Sequence, residues 1–171
     1  MNTMKAAVIT GIGEVEIHDI PVPELGSKEV LVKIGAASIC SWEQRTFIGK
    51  QKPGFPFLGG HENAGEVVAV APDVTMVTVG DRVTLGPTKC GKCRPCLRGE
   101  DKACVEHFQY FSLKGGELGP GGFLEYKVHR EDGCFNVGDA PYELACLAEP
   151  LSCAVHGVRL MGMHKGDTAV V

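Results

Sequence analysis

Alternation with a period of two dominates the first part of the chain. Met4 to Thr10 is apolar and β-prone, and after the turn Gly11-Ile12-Gly13 the run Glu14-Val15-Glu16-Ile17-His18-Asp19-Ile20 alternates residue by residue. That period puts successive side chains on opposite faces of a strand. The two segments predict a β-hairpin, stopped by Pro21 and Pro23. Glu29 to Ala37 predicts another strand, with Val30, Val32 and Ile34 on one face and Ser38-Ile39-Cys40 delivered at its end. Further strands are expected at Glu66 to Val70, at Arg82 to Leu85 after the Gly80-Asp81 turn, at Phe123 to His129, and around Phe135. Ser41 to Ile48 reads as a short helix or turn with Ser41 as its cap. From Pro141 the period changes. Leu151, Ala154, Val155, Val158 and Met161 follow spacings of three and four, the mark of one buried helical face, and Gly162 to Gly166 ends that helix. Thr168-Ala169-Val170-Val171 predicts the start of a new apolar strand. The expectation is a mainly β chain with some α.

Composition narrows the possible functions. The chain has 171 residues, 44% hydrophobic and 22% charged, which suits one ordinary globular domain with a real core. Its formal net charge is −4 and it has no long basic run. Lys89, Lys92, Arg94 and Arg98 are interleaved with cysteines and read as a solvated loop, so nucleic acid is not an expected partner. No apolar run is long enough to span a membrane, and Met1-Asn2-Thr3-Met4-Lys5 lacks the apolar region of a secretory signal. There are eight cysteines. Without a secretory signal they point to a reducing, cytoplasmic setting, where metal binding is commoner than disulfides.

Two stretches carry chemistry. In the first, Cys90-x-x-Cys93-x-x-Cys96 is followed by Cys104. Two-residue gaps let successive sulfurs reach one ion, and four thiolates make a closed, tetrahedral, structural zinc site. His107 can compete as the fourth ligand, although four sulfurs already suffice. The second stretch, Leu58-Gly59-Gly60-His61-Glu62-Asn63-Ala64-Gly65, sets a histidine beside a carboxylate. Neighbours on a regular strand point apart. His61 and Glu62 can therefore serve one catalytic zinc only if the backbone turns sharply, which Gly59 and Gly60 permit. The competing reading is a polar turn that leads into a strand.

With Gly60-His61-Glu62-x-x-Gly65, Val79-Gly80-Asp81-Arg82-Val83 and the four-cysteine loop in hand, nearly the whole chain resembles the zinc-containing medium-chain dehydrogenases, the alcohol, sorbitol and threonine dehydrogenase superfamily. The resemblance implies a GroES-like, partly open β-barrel over residues 1–150, with a structural-zinc lobe at about 88–108. Residues 151–171 would be a linking helix and the first strand of a Rossmann domain otherwise missing from this chain. It implies that Cys40, His61, Glu62 and Glu149 surround a catalytic zinc and that Cys90, Cys93, Cys96 and Cys104 hold a structural one. Glutamate at position 149 resembles the sorbitol- and threonine-type members. Cys153, one turn later, is an alternative ligand, or a core residue as buried free cysteines often are. The implied activity is oxidation of a secondary alcohol or polyol to a ketone, with hydride transfer to NAD or NADP bound by the other domain. The isolated chain is expected not to bind NAD tightly, and the full-length protein is expected to form a homo-oligomer. The alternative is a noncatalytic zinc-stabilised module for binding or assembly.

One departure stands out. The family reads Cys-x-Ser/Thr-Asp after its first ligand, and that hydroxyl starts a proton relay. Here the run is Cys40-Ser41-Trp42-Glu43. Trp42 takes the relay position and either lines the substrate pocket or packs in the core. Glu43 and Arg45 are expected as a surface ion pair. His18 is expected on a solvated strand face, His129 and His164 at the surface or in loops, and His156 as a satisfied buried histidine. Cys134 and Cys146 are expected in the core.

Overall fold

The computed structural model describes residues 3–106 and 119–170. The expected competition of His107 for the metal loop lies outside the described residues, as do the last two positions of the 88–108 lobe.

Seven strands carry the described fold: β1 (Thr3–Gly11), β2 (Glu14–Pro21), β3 (Glu29–Ser38), β4 (Glu62–Val70), β5 (Arg82–Leu85), β6 (Tyr126–Arg130) and β7 (Cys134–Asn136). Strands β1 and β2 form an antiparallel hairpin. The other five make an antiparallel sheet in the order β6-β3-β4-β5-β7. Four α-helices, α1 (Ser41–Phe47), α2 (Arg94–Leu97), α3 (Tyr142–Ala145) and α4 (Ala148–Leu160), and two single-turn 3-10 helices at Asp101–Ala103 and Glu131–Gly133 complete the described elements. The expected mainly β, partly open architecture holds. The sheet curls without closing, and β5 and β6, not paired as strands, approach where His129 Nε2 donates to the Gly86 carbonyl at 3.0 Å.

The inward phase of β3 is the one that its alternation predicts. Val30 and Val32 are fully buried with Val67, Val83 and Leu85. Each such side chain contributes about 1.5–3 kcal/mol over an exposed one. A second core joins the hairpin to the sheet through Met4, Ala6, Val8, Leu58 and Leu124. Backbone bonds stitch the same seam: Ala7 N–H donates to the Phe123 carbonyl at 2.8 Å, and Ile9 and Phe57 exchange bonds at 2.8 and 2.9 Å. This seam fixes the approach to the Gly59-Gly60 turn. Strand β4 crosses β3 so closely that a Cβ on Gly65 would lie 2.1 Å from the Lys33 carbonyl oxygen.

Three local expectations change. Cys40, with extended dihedrals, occupies the N-cap of α1, and no side chain caps the helix. Ser41 is thus its first helical residue. Helix α4 spans 148–160 and buries none of its residues; Leu151 is 60% exposed and Met161 66%. The periodic stripe is present, but the described part of this chain packs nothing over it. His156 and Cys153 are accordingly exposed on α4, not in a core. Thr168 to Val170 forms no strand, because a strand needs a neighbour to bond. Among the described residues, no helix is long and apolar enough to cross a membrane.

Candidate functional site

Two turns and one helix bring the first cluster together. Strand β3 ends just before Cys40, and α1 starts just after it. Gly60 takes φ +91°, and a Cβ there would lie 2.7 Å from the Phe123 backbone nitrogen. Only glycine tolerates that conformation and that approach. The chain therefore turns at Gly60, leaves His61 at the mouth of β4 and starts the strand with Glu62. As a result, Cys40 Sγ, a His61 ring nitrogen and a Glu62 carboxylate oxygen lie within 4.8 Å of one another. Residues some twenty positions apart meet where β3 and β4 pair Ser38 opposite Glu62. The Ser38 hydroxyl donates to Glu62 Oε2.

Glu43 supports this cluster and corrects the surface-pair expectation. It is 2% exposed, and its Oε1 accepts from the Gly60 N–H and pairs with His61 Nδ1, both at 3.0 Å. Burial works against its ionised form, but the bonds to His61 and Gly60 win and hold its pKa below the usual carboxylate range. The Glu43 hydrogen bond in turn raises the pKa of His61 against the cost of burial, helped by the charges of Glu43, Glu149 and Glu62. With Nδ1 held by a carboxylate, Nε2 is the nitrogen left for a metal. The signal was in the sequence: Glu43 lies one helical turn after Cys40, where the related motif also has an acid. A lone acid on a short helix looks solvent-facing until the Gly60 turn is folded over it.

Trp42 packs in the structure. Its ring meets Phe57 edge-on at 5.1 Å between centroids and stands 6.1 Å from the His61 ring. It is a wall beside the histidine and offers no hydroxyl.

A cavity of about 220 Å³ opens beside His61. Glu149, in the first turn of α4, lines it but stands outside the compact three-residue group. Asn63, Lys127 and His129 line it as well. His129 was expected at the surface. Instead it is half-buried at the β5–β6 approach, where desolvation pushes its pKa down to about 3. Lys127 is 8% exposed, and desolvation pushes its ammonium down to about 8. Alternation alone could not place these two, because the inward face of a strand is not marked by polar residues.

The second cluster is the cysteine loop, whose four sulfurs lie within 4.8 Å of one another. Cys93 caps α2, and Cys96 sits on it. Sulfurs tetrahedral about zinc at 2.3 Å are about 3.8 Å apart; Cys90 to Cys96 is 3.9 Å and Cys93 to Cys96 is 3.3 Å. The Cys93 N–H points at Cys90 Sγ (3.3 Å) and the Cys90 N–H at Cys104 Sγ (3.4 Å). Backbone N–H groups of Cys96 and Val105 lead in lowering the Cys93 thiol to about 6. Desolvation, then the bond with Cys93, pushes Cys96 up to about 12. Four sulfurs this close ionise together only around a cation, and all eight cysteines are free of disulfides. The donors in both clusters fit bound zinc. Cys134 and Cys146 are buried core thiols, as expected, and Cys153 joins neither cluster.

Comparison with known proteins gives the family. The alcohol dehydrogenase GroES-like domain model matches residues 26–139. The chain belongs to that family. The chain is 37% identical over 161 residues to D-altritol 5-dehydrogenase of Agrobacterium fabrum, covering 93% of this chain and 46% of that protein. It is 34% identical to sorbitol dehydrogenase of Bacillus subtilis, covering 98% of this chain and 48% of the relative. A solved structure from Sinorhizobium meliloti, ascribed to a zinc-binding dehydrogenase and bound to NADP, superposes with a TM-score of 0.79 at 30% identity. That match covers 98% of this chain and 48% of the other. The chain thus spans about half the length of these relatives, and the likeness to zinc-containing medium-chain dehydrogenases read from the motifs holds.

Proposed function

We propose that this chain is the metal-holding, substrate-facing half of a zinc-dependent, NAD(P)-linked alcohol or polyol dehydrogenase. The observation that carries the proposal is the convergence of Cys40, His61 and Glu62 beside a cavity that Glu149 also lines. In this reading residues 1–150 are the catalytic unit, with the lobe at about 88–108. Residues 151–171 lead toward a cofactor-binding Rossmann domain, and the bare apolar stripe of α4 is a face for such a partner. A reducing, cytoplasmic setting would keep the eight thiols available, and the whole protein would form a homo-oligomer.

Cys40, His61, Glu62 and Glu149 would surround a catalytic zinc, with Glu149 reaching it from the cavity wall. Cys90, Cys93, Cys96 and Cys104 would hold a closed structural zinc. A catalytic zinc with an open position supplies Lewis acidity and makes a bound hydroxyl far more acidic. The chain's own residues prepare that chemistry. Glu43 fixes the tautomer and aim of His61, Ser38 pins Glu62, and Trp42 stands edge-on beside the histidine. Because Trp42 cannot pass a proton, the alcohol's proton leaves through water or through another group in the cavity.

The test is to count zinc in the purified chain and, with the cofactor domain attached, to follow NADH or NADPH formation from a polyol. Two zinc ions per chain and polyol-dependent reduction are expected. One zinc ion, held by the thiolates, with no turnover would leave the binding-module reading in its place.

A further inference from the structure

The cavity beside His61 holds two polar groups that the proposed metal chemistry does not use. Asn63 is fully buried. Its Nδ2 donates to the Gly60 carbonyl at 3.0 Å. That bond fixes the orientation of the amide and turns Oδ1, an acceptor, the other way. Oδ1 is buried and has no hydrogen-bond partner. An orphaned buried acceptor costs about 1–3 kcal/mol. Lys127, on the same cavity wall, uses one N–H on the Pro120 carbonyl at 2.7 Å. An ammonium has three donors, so the Pro120 bond leaves two of them over. The Nε2 of His129 is committed to the Gly86 carbonyl.

This pattern selects among ligands. A carboxylate or phosphate would meet Lys127 favourably but would be repelled by Glu149 and by the lone pairs of Asn63 Oδ1. A substrate ammonium would meet Lys127. A hydroxyl accepts through its oxygen and donates its proton, so one such group answers a donor and an acceptor together. A simple secondary alcohol has no second hydroxyl to place here.

We propose that this cavity is a subsite for a non-reacting hydroxyl of a polyhydroxylated alcohol, with Lys127 Nζ donating to its oxygen and Asn63 Oδ1 accepting its proton. The subsite deepens the dehydrogenase reading and rests on it for the identity of the reacting group, which binds at the neighbouring metal cluster. Lys127 stays largely charged at neutral pH, which strengthens its donated bond. Without such a ligand, the lysine is a costly group to keep in an interior.

The test has a binding arm and a kinetic arm. In the 171-residue chain, NMR titration with sorbitol should shift the Asn63 side-chain amide and the Lys127 ε-methylene signals, and 2-butanol should not. Lys127→Met keeps the buried stem and should abolish the sorbitol shift at Asn63. With the cofactor domain attached, the ratio of kcat/KM for sorbitol to that for 2-butanol should fall roughly 10- to 100-fold in Lys127→Met, the loss of one charged hydrogen bond. No sorbitol shift at Asn63 and Lys127 in the unmutated chain overturns the proposal, as do equal shifts with both alcohols. An unchanged kinetic ratio also overturns it. A protein that turns over neither alcohol sinks the dehydrogenase reading, while the NMR arm still decides the hydroxyl site.

Discussion

The two metal-type clusters are built in opposite ways. The thiolate loop draws its ligands from fifteen consecutive residues, and backbone N–H groups of that same loop point at its sulfurs. The Cys40 cluster draws on a strand end, a glycine turn and a separate strand, and a buried carboxylate from a fourth place holds its histidine. The first is closed and self-contained. The second is open, borders a cavity, and keeps orphaned acceptors at Asn63 Oδ1 and Glu43 Oε2. A local loop can make a stable metal knot cheaply, because little chain entropy separates its ligands. A reactive centre needs ligands from several rigid elements, so that one direction stays free for substrate.

The strongest way to break this contrast is Cys93→Ser. Structural zinc is worth about 10 kcal/mol or more to small zinc modules, so this change should release one zinc ion and unfold the lobe at 88–108. Metal analysis and hydrogen exchange would show it, with the Cys40 cluster keeping its own ion. If both ions leave together, the two regions are not independent. Next is His61→Ala. It should also release one zinc ion, abolish turnover in the protein that carries the cofactor domain, and leave the thermal midpoint within about 4 °C, since about 1 kcal/mol moves a chain of this size by 2–4 °C. A large loss of stability would mean that this site, too, is structural.

Glu43→Gln sharpens the comparison, because it leaves every proposed ligand in place. Loss of the carboxylate behind His61 should weaken zinc at that cluster roughly 10- to 100-fold and leave the thiolate loop unchanged, as read by competition with a chelator. Equal retention at both sites would show Glu43 to be packing alone.

The smallest effect lies away from both clusters. Glu131 is buried and accepts from the Thr75 and Met76 N–H groups at 2.5 and 2.7 Å and from Lys28 at 3.1 Å. Burial opposes its charge, but these partners prevail and hold its pKa below the usual range. A depressed carboxyl pKa stabilises the fold above the unfolded value of about 4.3 and loses that contribution as pH falls through the folded value. Glu131→Gln should therefore cost about 1–2 kcal/mol at neutral pH. The gap from the parent, followed by urea unfolding, should close in acid and leave zinc content untouched. A gap that widens in acid would reverse this assignment.

What could be read without coordinates was whatever is local or periodic. The hairpin, the phase of β3, the short β5 and β7 and the cysteine loop all follow from spacing within a few residues, since period and ligand gaps are properties of consecutive side chains. The Gly59-Gly60 turn was legible for the same reason. What only the folded chain decided is which polar groups end up inside. Glu43 and His129 look like surface residues in the sequence, and Lys127 looks like any polar strand position. They become interior because β5 approaches β6 and the Gly60 turn folds over α1. The helical stripe of α4 misled in the other direction: periodicity marks an apolar face, but burial needs a second surface, and that belongs to packing. Charge and metal donors could be named one residue at a time; their company in space came from the sheet.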